Sequence, residues 1–295
     1  MNRDDDGEGK AKMTLEAVKP LHRLRWRASG ALEAGDRLAA EETPIAIVHD
    51  GSTTAVMMAT PADLEEFAIG FSLTEGIIAT PQAISGIEAV EGTLGIEVRL
   101  WLAAEAGARL ASRRRRLAGP TGCGLCGVES LAAAVRPIPR LDLDDLMIEA
   151  GRLITAMDAL PAAQPLGAAT RAVHAAALWR EGEELIVRED VGRHNALDKL
   201  VGACARRGIT GRGGAVLLTS RVSVEMVQKA AVLGAPIICA ISAPTALAVR
   251  TAAEAGVTLV GVTRSDGFEI FTHPRRIATA LSGGRKDHRA AGSLA

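Results

Sequence analysis

The chain has 295 residues, of which 48% are hydrophobic, 23% are charged and 2% are aromatic, and its formal net charge is -1. This length and hydrophobic content can build one large domain or two ordinary domains. The balanced charge provides no general attraction to nucleic acid or to a membrane surface, and the scarcity of aromatic rings argues against modules that bind nucleic acid by base stacking.

The two ends of the chain are polar, and we expect disordered tails at residues 1–20 and 282–295. The first residues, MNRDDDGEGKAK, are unlike a signal peptide, and no apolar run reaches the length of about 18 residues that a membrane span requires. The four cysteines are scattered and do not form a disulfide framework. These features predict a cytoplasmic protein that binds neither membrane nor nucleic acid.

Residues 21–112 are predicted to form a small α+β domain. Alternating apolar residues predict strands at 42–49 and 52–59, and Asp50-Gly51 between them is a typical hairpin turn. Two more strands are predicted within residues 87–103.

One helix is predicted in this domain, over Leu64–Leu73. Thr60 is predicted to cap its amino terminus, with Pro61 at the first helical position and Asp63 at the third, as in a capping box. The helix has an apolar face and is expected to end at Glu75-Gly76.

Residues 113–140 are predicted to form a mobile basic loop followed by a helix. The loop contains GPTGCGLCG, in which Cys123 and Cys126 are flanked by glycines. Residues 128–136 have helical propensity, so Cys126 lies at the predicted first turn of that helix. The helix dipole favours an anion there, which predicts that at least one of the two thiols has a lowered pKa and is partly thiolate.

Other interpretations of this loop stay open. A single C-x-x-C can be half of a zinc site, a redox disulfide or a chance occurrence. The remaining cysteines, Cys204 and Cys239, lie in unlike contexts, so we expect no metal site. The run Arg113–Arg116 is either a solvated basic segment or a site that holds a phosphate-bearing ligand or an acidic partner near the thiols.

Residues 141–281 are predicted to form an α/β domain, because strands and helices alternate with short loops and therefore predict a sheet covered on both faces. No GxGxxG or GxxxxGK[ST] motif follows a strand, so a nucleotide cofactor of the common kinds is not supported. The strands are predicted at 170–179, 184–190, 214–220, 236–242, 258–263 and 268–271. The helices are predicted at 143–160, 195–205, 224–233 and 246–255.

A polar cluster at residues 188–199, REDVGRHNALDK, lies at a predicted turn from strand to helix, where open α/β sheets bind ligands. We interpret four of its residues as functional: Asp190, Arg193, His194 and Asn195. Asp198 and Lys199 are expected to form surface ion pairs.

Two further polar sets follow buried strands. The hydroxyls of Thr219–Ser223 either serve a site or cap the next helix. Arg264–Gly267 is the other set, and Thr272–Arg276 comes soon after it. His174, which is alone on its strand, is expected to be a packed core histidine.

Five segments together carry a resemblance to a known family. They are TPADLEEFAIGFSLTEGII, GCGLCG, REDVGRHNALDKL, LLTSRVSVEMVQKAA and FTHPRRI, and they lie between about residues 40 and 277. Their joint occurrence in this order is highly specific. On this basis the chain resembles the formate dehydrogenase accessory sulfurtransferase family.

The resemblance implies a cytidine-deaminase-like, three-layer α/β/α carboxy-terminal domain and a smaller α+β amino-terminal domain. It also implies a sulfur carrier that accepts persulfide sulfur from a cysteine desulfurase. The carrier passes this sulfur to the molybdenum cofactor, in its bis-guanine-dinucleotide form, before insertion into formate dehydrogenase. The cofactor is then a ligand and sulfur acceptor and not a permanently bound group. A homodimer is typical of the family.

Individual site residues are implied in the same way. The family's persulfide carrier is the first cysteine of the C-x-x-C, which matches Cys123, and Cys126 matches its partner. Arg193, Arg221, Arg264 and the run Arg113–Arg116 are candidates for bidentate contacts to the two pyrophosphates. The family's cofactor-contacting segment matches Val262, Thr263, Arg264, Ser265, Asp266 and Gly267.

Two alternative functions remain. One is a chaperone that holds the cofactor or the dehydrogenase without sulfur chemistry. The other is a zinc-dependent deaminase, whose chemistry needs His-x-Glu followed later by Pro-Cys-x-x-Cys. The sequence argues against a deaminase, because His174-Ala175-Ala176 lacks the glutamate and the C-x-x-C precedes it.

Overall fold

The computed structural model describes residues 17–108, 110, 138–141 and 146–279. The predicted tails, apart from residues 17–20, and nearly all of the predicted loop at 113–140, with Arg113–Arg116, Cys123 and Cys126, lie outside the described residues. Within the described ranges, no helix is long and apolar enough to cross a bilayer. The domain boundaries stay predictions.

The described residues form a six-stranded sheet, a four-stranded sheet and two two-stranded sheets. The strands are β1 (Val18–Trp26), β2 (Leu32–Ala40), β3 (Thr43–His49), β4 (Ser52–Ala59), β5 (Ile84–Gly92), β6 (Gly95–Leu102), β7 (Ile148–Glu149), β8 (His174–Trp179), β9 (Ile186–Asp190), β10 (Ala215–Leu218), β11 (Ile237–Ala240), β12 (Thr258–Arg264), β13 (Gly267–Ile270) and β14 (Ile277–Ala278). The α-helices with defined bounds are α1 (Leu64–Thr74), α2 (Ala150–Ala159), α3 (Pro165–Thr170), α4 (Arg193–Arg206), α5 (Val224–Leu233) and α6 (Ala246–Ala255). Residues 104–108 are also helical.

The four-stranded sheet has the order β4-β3-β6-β5, with β3 parallel to β6 and the outer pairs antiparallel. The predicted hairpin between β3 and β4 is confirmed, since Asp50 and Gly51 both have positive φ (48° and 74°), as a type I′ turn requires. One face of this sheet packs on α1 through a core that includes Ile47, Phe67 and Val98. The hairpin of β1 and β2, which precedes this sheet, was not predicted.

Helix α1 begins at Leu64, as predicted, but its predicted capping residues are wrong. The N-cap is Asp63, in a left-handed conformation without a side-chain cap hydrogen bond. Thr60 does not cap the helix, because its backbone N–H donates to Asp190 and its hydroxyl accepts from the N–H of Val191, about 130 residues further along the chain. The backbone N–H and hydroxyl of Thr60, which a capping box would use locally, therefore form tertiary hydrogen bonds instead.

The six-stranded sheet has the order β13-β12-β11-β10-β8-β9, with a parallel centre of β10, β11 and β12. Helices cover both faces, as the sequence predicted. Residues of α4, α5 and α6 pack on one face in a core that includes Leu200 and Val227, and α2 packs on the other face through Leu153 and Met157. The specific likeness to cytidine deaminases stays a prediction.

Several element boundaries differ from the prediction. Helix α2 begins at Ala150 and not near residue 143, because Ile148 and Glu149 form β7 and pair with β14. The strand predicted from Thr170 begins at His174, since Thr170 ends α3 and Arg171 takes a left-handed conformation. The bounds of α5 and α6 match the predicted helices.

Helices α1 and α4 cross at two glycines. A Cβ atom on Gly70 would lie 1.7 Å from the carbonyl oxygen of Asp198, and one on Gly202 would lie 1.8 Å from that of Glu66. Real Cβ atoms do not come so close to backbone oxygens. The crossing therefore requires glycine at both positions, and it joins the first part of the chain to the six-stranded sheet.

We expect Gly70→Ala to destabilise the fold by about 3 kcal/mol, because the added methyl group must push the α1 and α4 backbones apart. Gly35→Ala is the control, since a Cβ at Gly35 meets no atom within 4 Å, and it should change the free energy of unfolding by less than about 0.5 kcal/mol. Urea denaturation measures both. Equal effects of the two substitutions would contradict the close crossing.

Candidate functional site

The candidate site lies at one end of the six-stranded sheet, across the ends of its strands, and we call this end the sheet edge. Parallel strands β10, β11 and β12 all end there. Strand β8 runs antiparallel to β10 and begins at the same edge with His174, which pairs with Asp190 at the end of β9. The edge therefore gathers residues from five strands and the loops that follow them, as expected for a ligand site of an open α/β sheet.

Asp190, predicted as a functional residue, lies in the structural core of this edge. Its side chain is fully buried and 2.7 Å from the ammonium of Lys199. It accepts hydrogen bonds from the N–H groups of Thr60 and Gly192 and from the amide of Asn195. Because these contacts occupy the carboxylate oxygens of Asp190, its side chain positions the β9–α4 turn and is not free to bind a ligand.

Asn195, the other buried member of the predicted set, also has a structural role. Its amide nitrogen donates to Asp190 and to the carbonyl oxygen of Met58 at the end of β4. The functional interpretation of Asp190 and Asn195 is therefore corrected: both tie the β9–α4 turn to the amino-terminal part of the chain.

The expectation that Asp198 and Lys199 form surface ion pairs is wrong. Lys199 is fully buried, pairs with Asp190 and donates to the carbonyl oxygen of Thr60. Asp198 is 1% exposed and accepts from Lys229 of α5 and from Thr74 of α1. Consecutive residues of a helix point in different directions, and here both directions lead into protein, because α4 packs against the sheet, α1 and α5.

Arg193 and His194, by contrast, are partly exposed at the start of α4. The Nε atom of Arg193 is buried and makes no hydrogen bond with the part of the chain that the structure describes. His194 Nε2 lies 3.3 Å from Glu225 and 3.4 Å from the hydroxyl of Ser223. Arg193, unlike Asp190, therefore keeps a polar atom that the described residues leave unsatisfied at the edge.

His174 is partly exposed at the start of β8, so the prediction of a packed core histidine is wrong for it. Burial lowers the pKa of both His174 and His194, and the charge of Arg193 lowers it further, against the opposing charges of Asp190 and Glu225 respectively. At neutral pH both rings are therefore neutral donors and acceptors. Among the described histidines, the fully buried one is His49, which lies 2.7 Å from Thr54 and 2.8 Å from Ser72.

Hydrogen bonds within the Thr219–Ser223 loop and to β8 fix this loop, which follows β10. The hydroxyl of Thr219 accepts from the N–H of Ala175, and that of Ser220 donates to the carbonyl oxygen of Arg221. Ser223 stands at the N-cap of α5, but its hydroxyl bonds to the side chain of Glu225 and does not cap the helix. Arg221 is exposed in this loop.

The segment Val262–Gly267 is the irregular end of β12 and the turn into β13. Val262 has φ 53°, which is strained for a β-branched residue, and the strand register shifts there. Thr263 is buried, with its hydroxyl 3.3 Å from the sulfur of Cys239. Arg264 is exposed and donates to the carbonyl oxygens of Ile241 and Thr263, and Ser265 and Asp266 are exposed in the turn.

The polar residues at Thr272–Arg276 lie at the opposite edge of the sheet. The fully buried guanidinium of Arg276 donates to the carbonyl oxygens of Gly256 and Pro236, which precede β12 and β11. The hydroxyl of Thr272 bonds to the backbone of Val257 and Leu259. These residues hold strand ends together and contribute nothing to the candidate site.

The described cysteines, Cys204 and Cys239, are both fully buried. Burial raises the pKa of Cys204 to about 11 and that of Cys239 to about 12. Thiols in this state are not nucleophilic at neutral pH. Within residues 17–108, 110, 138–141 and 146–279, no three His, Cys, Asp or Glu side chains are grouped as metal ligands.

Comparison with known proteins identifies the family. The sequence model of the FdhD/NarQ family matches residues 40–278, which is most of the chain. This chain belongs to the FdhD/NarQ family. The family resemblance inferred from the sequence motifs is thereby confirmed.

Two relatives in the FdhD/NarQ family carry the name sulfur carrier protein FdhD. The protein from Agrobacterium fabrum is 52% identical over 249 residues, covering 84% of this chain and 92% of its own length. The protein from Brucella abortus is 51% identical over 267 residues, covering 90% and 99%. A crystal structure from Desulfotalea psychrophila, described as that of a formate dehydrogenase accessory protein, has a TM-score of 0.68 and 27% identity, and the match covers 89% of this chain and 100% of that one.

Of the site residues predicted for this FdhD/NarQ-family chain, Arg193, Arg221 and Val262–Gly267 lie on the same sheet edge. Cys123 and Cys126 lie outside the described residues. Sequence reasoning missed His174 at this edge. The position of His174 could have indicated this, because it begins a strand that runs antiparallel to the central strands and therefore starts where those strands end.

We expect Lys199→Met to destabilise the protein by about 3–5 kcal/mol, because it leaves the buried Asp190 carboxylate without its cation. Adding Asp190→Asn should recover part of this loss, since the unpaired charge is then removed. Arg206→Gln, which breaks the exposed ion pair with Glu65, is the control and should cost less than about 1 kcal/mol. Denaturant unfolding measures the free energy of unfolding of each variant. A loss in Lys199→Met as small as that in Arg206→Gln would show that the buried pair is unimportant for stability.

Proposed function

We propose that this chain is a sulfur carrier that serves formate dehydrogenase. The observation that carries the proposal is the identity of about half of all residues, over most of the chain, with relatives named as sulfur carrier proteins. The match to a formate dehydrogenase accessory protein by fold supports the choice of the enzyme served. We further propose a cytoplasmic location, since sulfur carriage by thiols needs a reducing compartment.

The carrier thiol in this proposal is Cys123, with Cys126 as its partner. Cys204 and Cys239 are unsuited to the role, because they are buried and their pKa values are raised. The Cys123 thiolate attacks the outer sulfur of a persulfide on a cysteine desulfurase. A new S–S bond forms on Cys123 as the desulfurase S–S bond breaks, and the desulfurase cysteine leaves as a thiolate. No net oxidation occurs.

The acceptor in this proposal is the molybdenum cofactor in its bis-guanine-dinucleotide form, bound as a substrate at the sheet edge. Arg193 follows the end of β9, Arg221 follows the end of β10, and Arg264 ends β12. Guanidinium groups suit pyrophosphate oxygens because they donate in pairs. The free Nε of Arg193 supports this role, since it is a buried donor that the described residues leave unsatisfied.

The main alternative is a chaperone that binds the cofactor at the same edge without carrying sulfur. The sheet edge is compatible with a chaperone, because the described residues there supply cationic and polar groups but no reactive thiol. A zinc-dependent deaminase has less support, since His174-Ala175-Ala176 lacks the glutamate that its chemistry needs. A homodimer, typical of the resembling family, is part of the proposal.

Sulfur carriage predicts that the protein, incubated with a cysteine desulfurase and cysteine, gains the mass of one sulfur atom at Cys123. Mass spectrometry of intact protein and peptides measures this. Cys123→Ala should abolish the gain, whereas Cys204→Ala should retain it, because that thiol is buried. Absence of the added sulfur in the unaltered protein would favour the chaperone.

Cofactor binding at the edge predicts that Arg193→Gln and Arg221→Gln each weaken the binding of guanosine diphosphate, used as a probe, by roughly tenfold to a hundredfold. Arg152→Gln is the matched control, because Arg152 is exposed and lies near Glu181, beyond the opposite end of β8. Isothermal titration calorimetry measures the affinities. Unchanged binding in both edge variants would remove this edge as the cofactor site.

A further inference from the structure

Strand β12 contains one extra residue near its end. Gly261 pairs with Glu269 of β13, and the next pair is Arg264 with Gly267. Three steps along β12 therefore correspond to two steps along β13. We name this insertion, over residues 261–264, the β12 bulge. Bulges beside binding sites change the direction in which the following side chains point.

The β12 bulge reverses the alternation of side chains between the two faces of the sheet. Val260 pairs with Cys239 of β11, and both lie on the face that α2 covers. In a regular strand every second residue points to the same face, so Thr263 would point away from Cys239. The hydroxyl of the buried Thr263 lies instead 3.3 Å from the Cys239 sulfur. The bulge has therefore turned Thr263 to the α2 side.

Arg264 changes face together with Thr263. As the next residue of the strand, Arg264 points to the opposite face, which is the one that α4, α5 and α6 cover. Arg193 begins α4, and Arg221 lies just before α5. The β12 bulge therefore places Arg264 on the same face as the two other arginines of the sheet edge. A regular strand would direct it to the α2 side.

The guanidinium of Arg264 is fixed in direction and still has donors for a ligand. Its Nη1 atom donates to the carbonyl oxygens of Ile241 and Thr263, at 2.6 Å and 2.7 Å. Its Nε and Nη2 atoms have no hydrogen-bond partner in the part of the chain that the structure describes, and the side chain is exposed. Two donors of one guanidinium suit two oxygens of a phosphate group.

The β12 bulge is strained, so other contacts must hold it. Val262 inside the bulge has φ 53°, where its branched side chain is crowded by the backbone. A regular strand would relieve this strain. The N–H of Val262 donates to the carbonyl oxygen of Ser242 over 3.3 Å, which is a long hydrogen bond. The contact of Thr263 with Cys239 opposes the return to a regular strand, because that return would separate the two side chains.

We propose that Cys239 and Thr263 are positioning residues of the sheet edge. Their contact holds the β12 bulge, and the bulge directs Arg264 toward the diphosphate group that the other two arginines bind. This proposal rests on the proposed cofactor site. Thr263 then acts through Arg264 and not by touching the ligand, and Cys239 has a role that does not need a reactive thiol.

Calorimetric titration of the full chain with guanosine diphosphate tests the positioning. Thr263→Val, which removes the hydroxyl and keeps the shape of the side chain, and Cys239→Ala should each weaken binding by roughly tenfold. Cys239→Ser should stay within roughly threefold of the unaltered protein, because a hydroxyl can replace the thiol as the partner of Thr263. Cys204→Ala is the matched control, since it removes the other buried thiol of the described core, and it should change the affinity by less than roughly twofold.

A double-mutant cycle shows whether the effect passes through Arg264. Arg264→Gln alone should weaken binding of guanosine diphosphate by roughly tenfold. In the Thr263→Val protein the same substitution should cost less than roughly twofold, because Arg264 is then already directed away from the ligand. A merely structural role of Thr263 predicts that the two losses add. Circular dichroism checks that each variant is folded.

Additive losses in this cycle would overturn the proposal. So would a loss in Cys239→Ala no larger than that in Cys204→Ala, or a Cys239→Ser protein as impaired as Cys239→Ala. Failure of the cofactor site itself gives a different result, since Arg193→Gln and Arg221→Gln then leave the binding of guanosine diphosphate unchanged. If those two variants weaken binding and Thr263→Val does not, the site stands and the positioning role is wrong.

Discussion

The fully buried pair of Asp190 and Lys199 is the interaction on which the rest of the structure depends. Two charges in a position of low dielectric are stable only when both are paired and hydrogen-bonded. Here the remaining hydrogen bonds come from the backbone of Thr60, which is distant in sequence, and from the amide of the nearby Asn195. The pair therefore connects the four-stranded sheet to the candidate site of the six-stranded sheet.

The glycine crossing of α1 and α4 makes this connection possible. Because Gly70 and Gly202 have no side chain, the two helices approach until their backbones touch, and Thr60, just before α1, reaches Lys199. A second buried pair, Asp198 with Lys229, fastens α4 to α5 on the same principle. Arg193, at the start of α4, is thus carried on a helix held along its length, as a binding site requires.

The described residues supply groups that bind an anion but no reactive thiol. Thiols that are in the folded core, Cys204 and Cys239, are kept protonated by burial. The sheet edge offers guanidinium groups, neutral histidines and a strained backbone at Val262, which suit recognition of an anionic ligand. In the proposed mechanism, binding belongs to the edge and sulfur carriage to Cys123, so substitutions in one should leave the other function measurable.

Local pattern determined much of this protein. The sequence by itself specified the Asp50-Gly51 turn, the bounds of α5 and α6 and a sheet covered on both faces, because these follow from periodicity and turn chemistry over a few residues. Its motifs also specified the family. Only the tertiary structure decided that Thr60 bonds to Asp190 instead of capping a helix and that Lys199 is buried. Their partners are distant in sequence, and a local pattern carries no information about which of two possible hydrogen bonds folding will complete.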